Sequence, residues 1–157
     1  MVSFERLQQY APFVARLGIG LVFFWFGMIQ IFDGQSFLGY LPDFAKLIPA
    51  QPLTIILFNG VFDTLVGAFL IVGFLTRITA AVAVFHLILV IIGLGYNDIA
   101  IRDLGLLIVS ISIFLQGPDR GSFDTHYLHP LKHHAQRHLQ RQKERLGDAV
   151  GIKIKLK

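Results

Sequence analysis

The stretch NGVFDTLVG, residues 59–67, sets a carboxylate, Asp63, near the centre of a segment otherwise suited only to lipid. On a helix, Asn59, Asp63 and Gly67 form one i, i+4 row and Gly60, Thr64 and Ala68 the row beside it, so one face is small and polar. The opposite face carries Phe58, Phe62, Leu65 and Phe69, a surface that a bilayer accepts. An ionisable side chain at the middle of a span costs at least ~2.5 kcal/mol on insertion scales, so it faces a bundle interior and finds a partner there. The pattern predicts a transmembrane helix with an inward carboxylate, whose partner the other spans must supply.

The rest of the chain agrees with a membrane protein. Its 157 residues are 54% hydrophobic and 15% charged, and the mean hydropathy of +0.63 is not that of a soluble domain. The lack of cysteine excludes disulfides, thiolate nucleophiles and Cys-based zinc or iron–sulfur sites, so a redox role requires a bound cofactor. After a polar lead over residues 1–12, apolar stretches at 13–32, 53–75, 78–94 and 99–115 read as spans. The first covers about 30 Å, the thickness of a hydrocarbon core, and is too long for a signal-peptide core. Within it Arg16, Gly20, Phe23, Gly27 and Gln30 share a heptad-like face, taken as inward. The connection 33–52 is rich in proline and glycine and has room for a short surface helix but no core, whereas Thr76 with Arg77, and residues 95–98, read as tight turns. Short turns make successive spans antiparallel neighbours. The expected fold is an all-α membrane protein, an antiparallel four-transmembrane-helix bundle with a cytoplasmic amphipathic C-terminal helix.

Charge sets the expected orientation. Residues 117–157 hold nine Lys/Arg against four Asp/Glu, while residues 1–116 hold five against six. Arg6, Arg16, Arg77 and the basic tail share one side, and only Lys46 and Arg102 lie on the other. The positive-inside rule then places both termini in the cytoplasm of a cell whose inner membrane holds the chain. In the tail, Leu128, Leu131, Ala135, Leu139 and Leu146 make a narrow apolar stripe among basic residues, which suits a helix lying on anionic headgroups or against a partner. Nucleic acid is not expected, because no binding motif accompanies the charge. His129 with His133, and His134 with His138, have the i, i+4 spacing of a chelating pair, but no carboxylate completes either, and no metal site is assigned. The final GIKIKLK alternates with period two and fits a strand edge or a basic tail equally well.

At 1.5 Å per residue, Asp63 lies about 15 Å from the outer end of its span and His86 about 12 Å from the inner end of its own, both near the midplane. The expectation is a cavity with Asp63 and His86 at its floor and Asn59, Arg102, Asp103 and Gln30 toward an outer mouth. A structural reading stands beside it: Asp63 pairs with Arg102 or His86, Asn59 bonds across helices, and Arg16 snorkels to the headgroups. Arg102 and Asp103, adjacent in sequence, are read as facing apart, each in need of another partner. Arg16 and Arg77 are assigned membrane-anchoring or structural roles.

Several motifs occur in a telling order: Arg16 opening the first span, FWFGMIQIFDG ending it, Asp63 followed by Gly67, Gly73 and Thr76–Arg77, then IRDLGLL leading to GPDRGSFD. Over residues 15–124 this resembles the DoxX family of small four-helix membrane proteins, which includes the DoxD-like subunit of thiosulfate:quinone oxidoreductase. The chain has Gln30 where the family often has lysine, and Asp63 where glutamate is common. Together with the cavity, the resemblance implies a membrane subunit of a redox assembly that handles a quinone-type acceptor. Asp63 and His86 would then be the catalytic proton donors, with Asn59 or Arg102 holding a carbonyl oxygen and the electron donor on a cytoplasmic or membrane partner. The alternative is a non-enzymatic scaffold or small-molecule carrier that recruits a cytoplasmic partner through its basic tail. A proton-coupled transporter is disfavoured by the short chain and the absence of a proline-broken span, although a homo-oligomer could build a pathway.

Overall fold

The structure, a computed structural model, describes residues 7–42, 45 and 47–128. Among these residues it is all helical, with α1 at Ala11–Phe32, α2 at Pro52–Val72, α3 at Thr76–Leu94 and α4 at Asp98–Gln116. A 3-10 segment, Gly34–Tyr40, follows α1, and a short π turn, Asp124–Leu128, comes after α4. Three helices, α1, α2 and α3, are long and apolar enough to cross a membrane. The tail stripe beyond Leu128, both histidine pairs and GIKIKLK lie outside the described residues.

Local chemistry explains the helix ends. Pro12 sits in the first turn of α1 and Pro52 opens α2, where a missing N–H costs no helical hydrogen bond. Gly73, at φ 74°, ends α2 in the left-handed region, and the Phe74 N–H then returns to the Phe69 carbonyl at 2.9 Å. The turn therefore occupies residues 73–75, and Thr76 and Arg77, read from the sequence as the turn, belong to the first turn of α3. Asn97 starts α4 by accepting a hydrogen bond from the Ala100 N–H at 2.8 Å.

The helices associate chiefly as two pairs, α1 on α2 and α3 on α4, while α2 and α3 touch sparingly. The α1–α2 seam is built from four glycines in antiparallel register, Gly20 opposite Gly67 and Gly27 opposite Gly60. A Cβ on Gly27 would stand 2.5 Å from the Thr64 nitrogen and 2.6 Å from the Gly60 oxygen. One on Gly60 would stand 2.9 Å from both the Gly27 oxygen and the Gln30 Cβ. In lipid there is little hydrophobic drive between helices, so backbone approach of this kind supplies the van der Waals contact that holds them. The face read as inward on α1 is buried along its length, from Arg16 through Gly20, Phe23 and Gly27 to Gln30. Ile19, Phe23, Val66, Leu70, Ala83 and Ile113 belong to the central core, and Trp25, Phe58 and Phe85 point outward.

One expectation about the long connection is corrected. Residues 33–52 were to hold no core, yet Ala45 is buried and Phe37, Tyr40 and Leu41 wall the cavity described next. Gly34 lies against the side chains of Leu53 and Ile56 at the start of α2.

Candidate functional site

Asp63 is buried in the middle of α2 and is held from two helices. Its Oδ2 accepts from Gln30 Nε2 at 3.1 Å and from Asn59 Nδ2 at 3.0 Å, and the same Asn59 amide donates to Gln30 Oε1 at 2.7 Å. The glycine seam makes this reach achievable, because Gln30 lies one turn beyond Gly27 with its Cβ directly over Gly60. Hydrogen bonds to a charged group contribute about 1.5–3 kcal/mol each, enough for two of them to offset the cost of a carboxylate in a span. The other oxygen differs. His86 Nε2 lies 3.1 Å from Asp63 Oδ1, an ion-pair distance, but out of line, so Oδ1 is buried without a hydrogen-bond donor. The His86 ring is set against Phe62 at 4.9 Å and Phe23 at 6.2 Å between centroids.

Above this pair lies a cavity of about 640 Å³. Gln30, Asn59, Asp63, His86, Arg102 and Asp103 all line it, so the six polar residues picked out along the spans share one hollow. Its other walls are apolar, among them Phe23, Phe26, Ile56, Leu87 and Leu106. Arg102 does not pair with Asp63. Its Nε donates to Asp103 Oδ1 at 2.9 Å, with Nη2 2.8 Å from the same oxygen, and its guanidinium lies 4.7 Å from the centre of the Phe26 ring. The expectation that Arg102 and Asp103 face apart is thus corrected. Their Cβ directions do diverge, but the long arginine stem folds back across its own turn and brings the head to its neighbour.

Chemically, the Asp63 carboxylate oxygen and the His86 imidazole nitrogen stand 3.1 Å apart, close enough for a proton to pass between them. Oδ1 keeps lone pairs with no donor aimed at them, beside a hollow whose walls favour an apolar ring or chain.

The opposite end of the bundle is closed by a second polar cluster. Arg16 is fully buried and does not snorkel: its Nε donates to Asp119 Oδ2 at 2.6 Å and its Nη2 to Oδ1 at 3.3 Å, while Nη1 donates to the Leu70 carbonyl and, at 2.9 Å, to that of Ile71. It therefore satisfies the Ile71 carbonyl, which the end of α2 leaves open, and adds a donor to that of Leu70, which already accepts from the Gly73 N–H at 3.2 Å. Asp124 accepts from the Leu75 N–H at 2.7 Å and the Thr76 N–H at 2.6 Å, capping α3 from a segment that follows α4. That cap accounts for Leu75 holding φ 48° without being glycine. Arg77 is exposed and lies against Gly117, its guanidinium filling the place a side chain there would need. Asp119 and Asp124 were not singled out from the sequence. The available signal was two acids in the loop GPDRGSFD, on the side where a span arginine lacked a partner. Asp124→Ala is expected to cost about 0.5–2 kcal/mol, the range for loss of a helix cap, read as a lower thermal midpoint in detergent that Asp124→Asn partly restores. An unchanged midpoint would show that the cap contributes nothing.

The DoxX family model matches residues 11–97, which contain α1, α2 and α3 and with them Gln30, Asn59, Asp63 and His86. Comparison with curated proteins and with solved structures gives no match.

Proposed function

The chain belongs to the DoxX family of membrane proteins, and on that premise we propose that it is a membrane subunit of a redox assembly, receiving a quinone-type acceptor in the cavity over Asp63. The observation that carries this reading is a buried carboxylate oxygen without a hydrogen-bond donor, 3.1 Å from His86, at the floor of a largely apolar hollow. A quinone asks for an apolar enclosure around its ring, polar groups at its carbonyls and protons when it is reduced. Reduction to the quinol takes up two electrons and two protons. Asp63 and His86 supply one proton at the floor, the second is drawn from water through the cavity mouth, Asn59 and Arg102 offer donors to a carbonyl oxygen, and the electrons come from a cofactor carried by a partner protein. In this reading α4 serves as the fourth span, both termini face the cytoplasm across an inner membrane, and the basic tail meets anionic headgroups.

The two hydrogen bonds on Asp63 Oδ2 favour a second reading, a scaffold or small-molecule carrier in which the Gln30–Asn59–Asp63 network holds α1 and α2 in register. The quinone content of protein purified in mild detergent decides between them. Wild type is expected to retain near-stoichiometric quinone, and Asp63→Ala and a control membrane protein of matched size only background. Asp63→Asn should stay folded but lose quinone-dependent electron transfer. Background quinone in all samples would overturn the redox reading in favour of the scaffold.

A further inference from the structure

The cavity shares a wall with a second hollow. Where α2 and α3 fail to pack, a cleft of about 870 Å³ opens on the outside of the molecule. Ile55, Asn59, His86 and Leu89 line both hollows. Beyond that wall the cleft is apolar, with Phe58 and Phe62 from α2 and Ala81, Val82 and Phe85 from α3, and Arg77 at its far end. Phe58 is 73% and Phe85 64% exposed on helices apolar enough to cross a membrane, so this opening faces acyl chains rather than water.

A groove between membrane helices ordinarily takes a lipid chain and nothing more. This one differs at its inner end, where Asn59 and His86 are part of the Asp63 network. An acyl chain offers those side chains no hydrogen bond, whereas a polar head joined to an apolar tail offers one at the wall and fills the cleft behind it. The Phe62 ring, 4.9 Å from that of His86, stands at the crossing.

We propose that the α2–α3 cleft is a lateral portal from the bilayer, through which a lipid-borne ligand passes its polar head between Asn59 and His86 into the cavity and leaves a long isoprenoid-type tail lying in the cleft. The proposal rests on the quinone reading of the cavity and adds to it the route of entry and the place of the tail.

The test uses the full chain in phosphatidylcholine vesicles and two probes, a benzoquinone without a tail and the same head on an isoprenoid tail that carries a photoreactive diazirine. Ala81→Trp fills the cleft from α3 at a position that lines the cleft and not the cavity. In wild type the tail is expected to cross-link to Phe58, Val82 or Phe85. In Ala81→Trp, binding of the tailed probe should weaken by about tenfold or more, because the indole and the tail compete for one space, with the tailless probe unaffected. Cross-links confined to other surfaces, or equal binding of the tailed probe by both proteins, would overturn the portal while tailless binding upholds the cavity. Failure of wild type to bind either probe would remove the quinone reading and the portal with it. Should Ala81→Trp lose both probes, the cross-link map on wild type decides.

Discussion

Gly67→Leu is expected to prevent folded protein from accumulating, and Gly27→Leu to do the same, while Gly18→Leu and Gly105→Leu accumulate as wild type does. All four glycines lie in helices, and the difference is what surrounds them. A Cβ at position 67 would collide with the Phe24 nitrogen and stand 2.7 Å from both Phe24 Cα and the Gly20 oxygen, whereas at 18 and 105 nothing lies within 4 Å. Overpacking ordinarily costs about 1–3 kcal/mol because neighbouring side chains give way. Here the obstacles are backbone atoms of the facing helix, so the whole α1–α2 seam must part. Parting it also withdraws Gln30 from Asp63 and leaves a carboxylate in the span with one donor fewer. The combined loss exceeds ~3 kcal/mol, a large share of the 5–15 kcal/mol typical of a folded domain. Size-exclusion chromatography of fluorescently tagged protein reads this directly. A monodisperse Gly67→Leu peak with the wild-type thermal midpoint would show that the seam is not where the bundle is held.

The seam and the site differ in how far they could be read without coordinates. The small, polar face around Asp63 was legible because i, i+4 rows and the 1.5 Å rise depend only on the chain being helical. The same arithmetic set His86 beside Asp63 near the midplane and Gln30, Asn59, Arg102 and Asp103 toward one end of the spans, and the structure places all of them around one cavity. Of the two partners named for Asp63, His86 does stand 3.1 Å from it; that Gln30 and Asn59 hold its other oxygen was not legible, since that depends on how each helix is rotated about its axis, and the Gly27–Gly60 contact fixes the rotation. Arg102 was a reasonable partner by charge and the wrong one by reach, as its guanidinium is taken by Asp103. The α2–α3 turn was displaced because two effects act on it together. Gly73 ends α2 locally, but the start of α3 is set by Asp124, 48 residues away from Thr76, and no local pattern reports such a cap. The α2–α3 cleft was invisible for a related reason: a hydropathy pattern shows which faces are apolar and not which of them stay unpacked.

Replacing either Arg16 or Asp119 by leucine is expected to be more damaging than its position at the end of a bundle suggests, and replacing both together less damaging than the two single losses combined. The pair is separated by 103 residues in sequence and is almost wholly buried, with side chains 0% and 3% exposed. Removing one member of such a pair costs about 3–5 kcal/mol, because the other charge is left in a low-dielectric site without its counter-charge. Partial compensation differs between the two. Arg16 alone still donates to the Leu70 and Ile71 carbonyls, and Asp119 alone still accepts from the Gly121 N–H at 2.8 Å, so Arg16→Leu, which also orphans the Ile71 carbonyl, is the worse single change. In Arg16→Leu/Asp119→Leu neither charge remains, and a coupling of about 1–3 kcal/mol is expected in a double-mutant cycle of unfolding midpoints. A purely additive cycle would mean that the two residues act separately and that their contact is incidental. The cycle also separates stability from function. Arg16 and Gln30 stand on the same helix fourteen residues apart, roughly 21 Å at the helical rise, so the ion pair closes one end of the bundle and the Asp63 cavity lies toward the other. On the proposed quinone reading, Asp119→Asn should therefore lower the midpoint while the protein that remains folded keeps its full quinone complement per chain. Loss of quinone from folded Asp119→Asn would instead couple the closed end to the cavity and make Arg16 a positioning residue for the site.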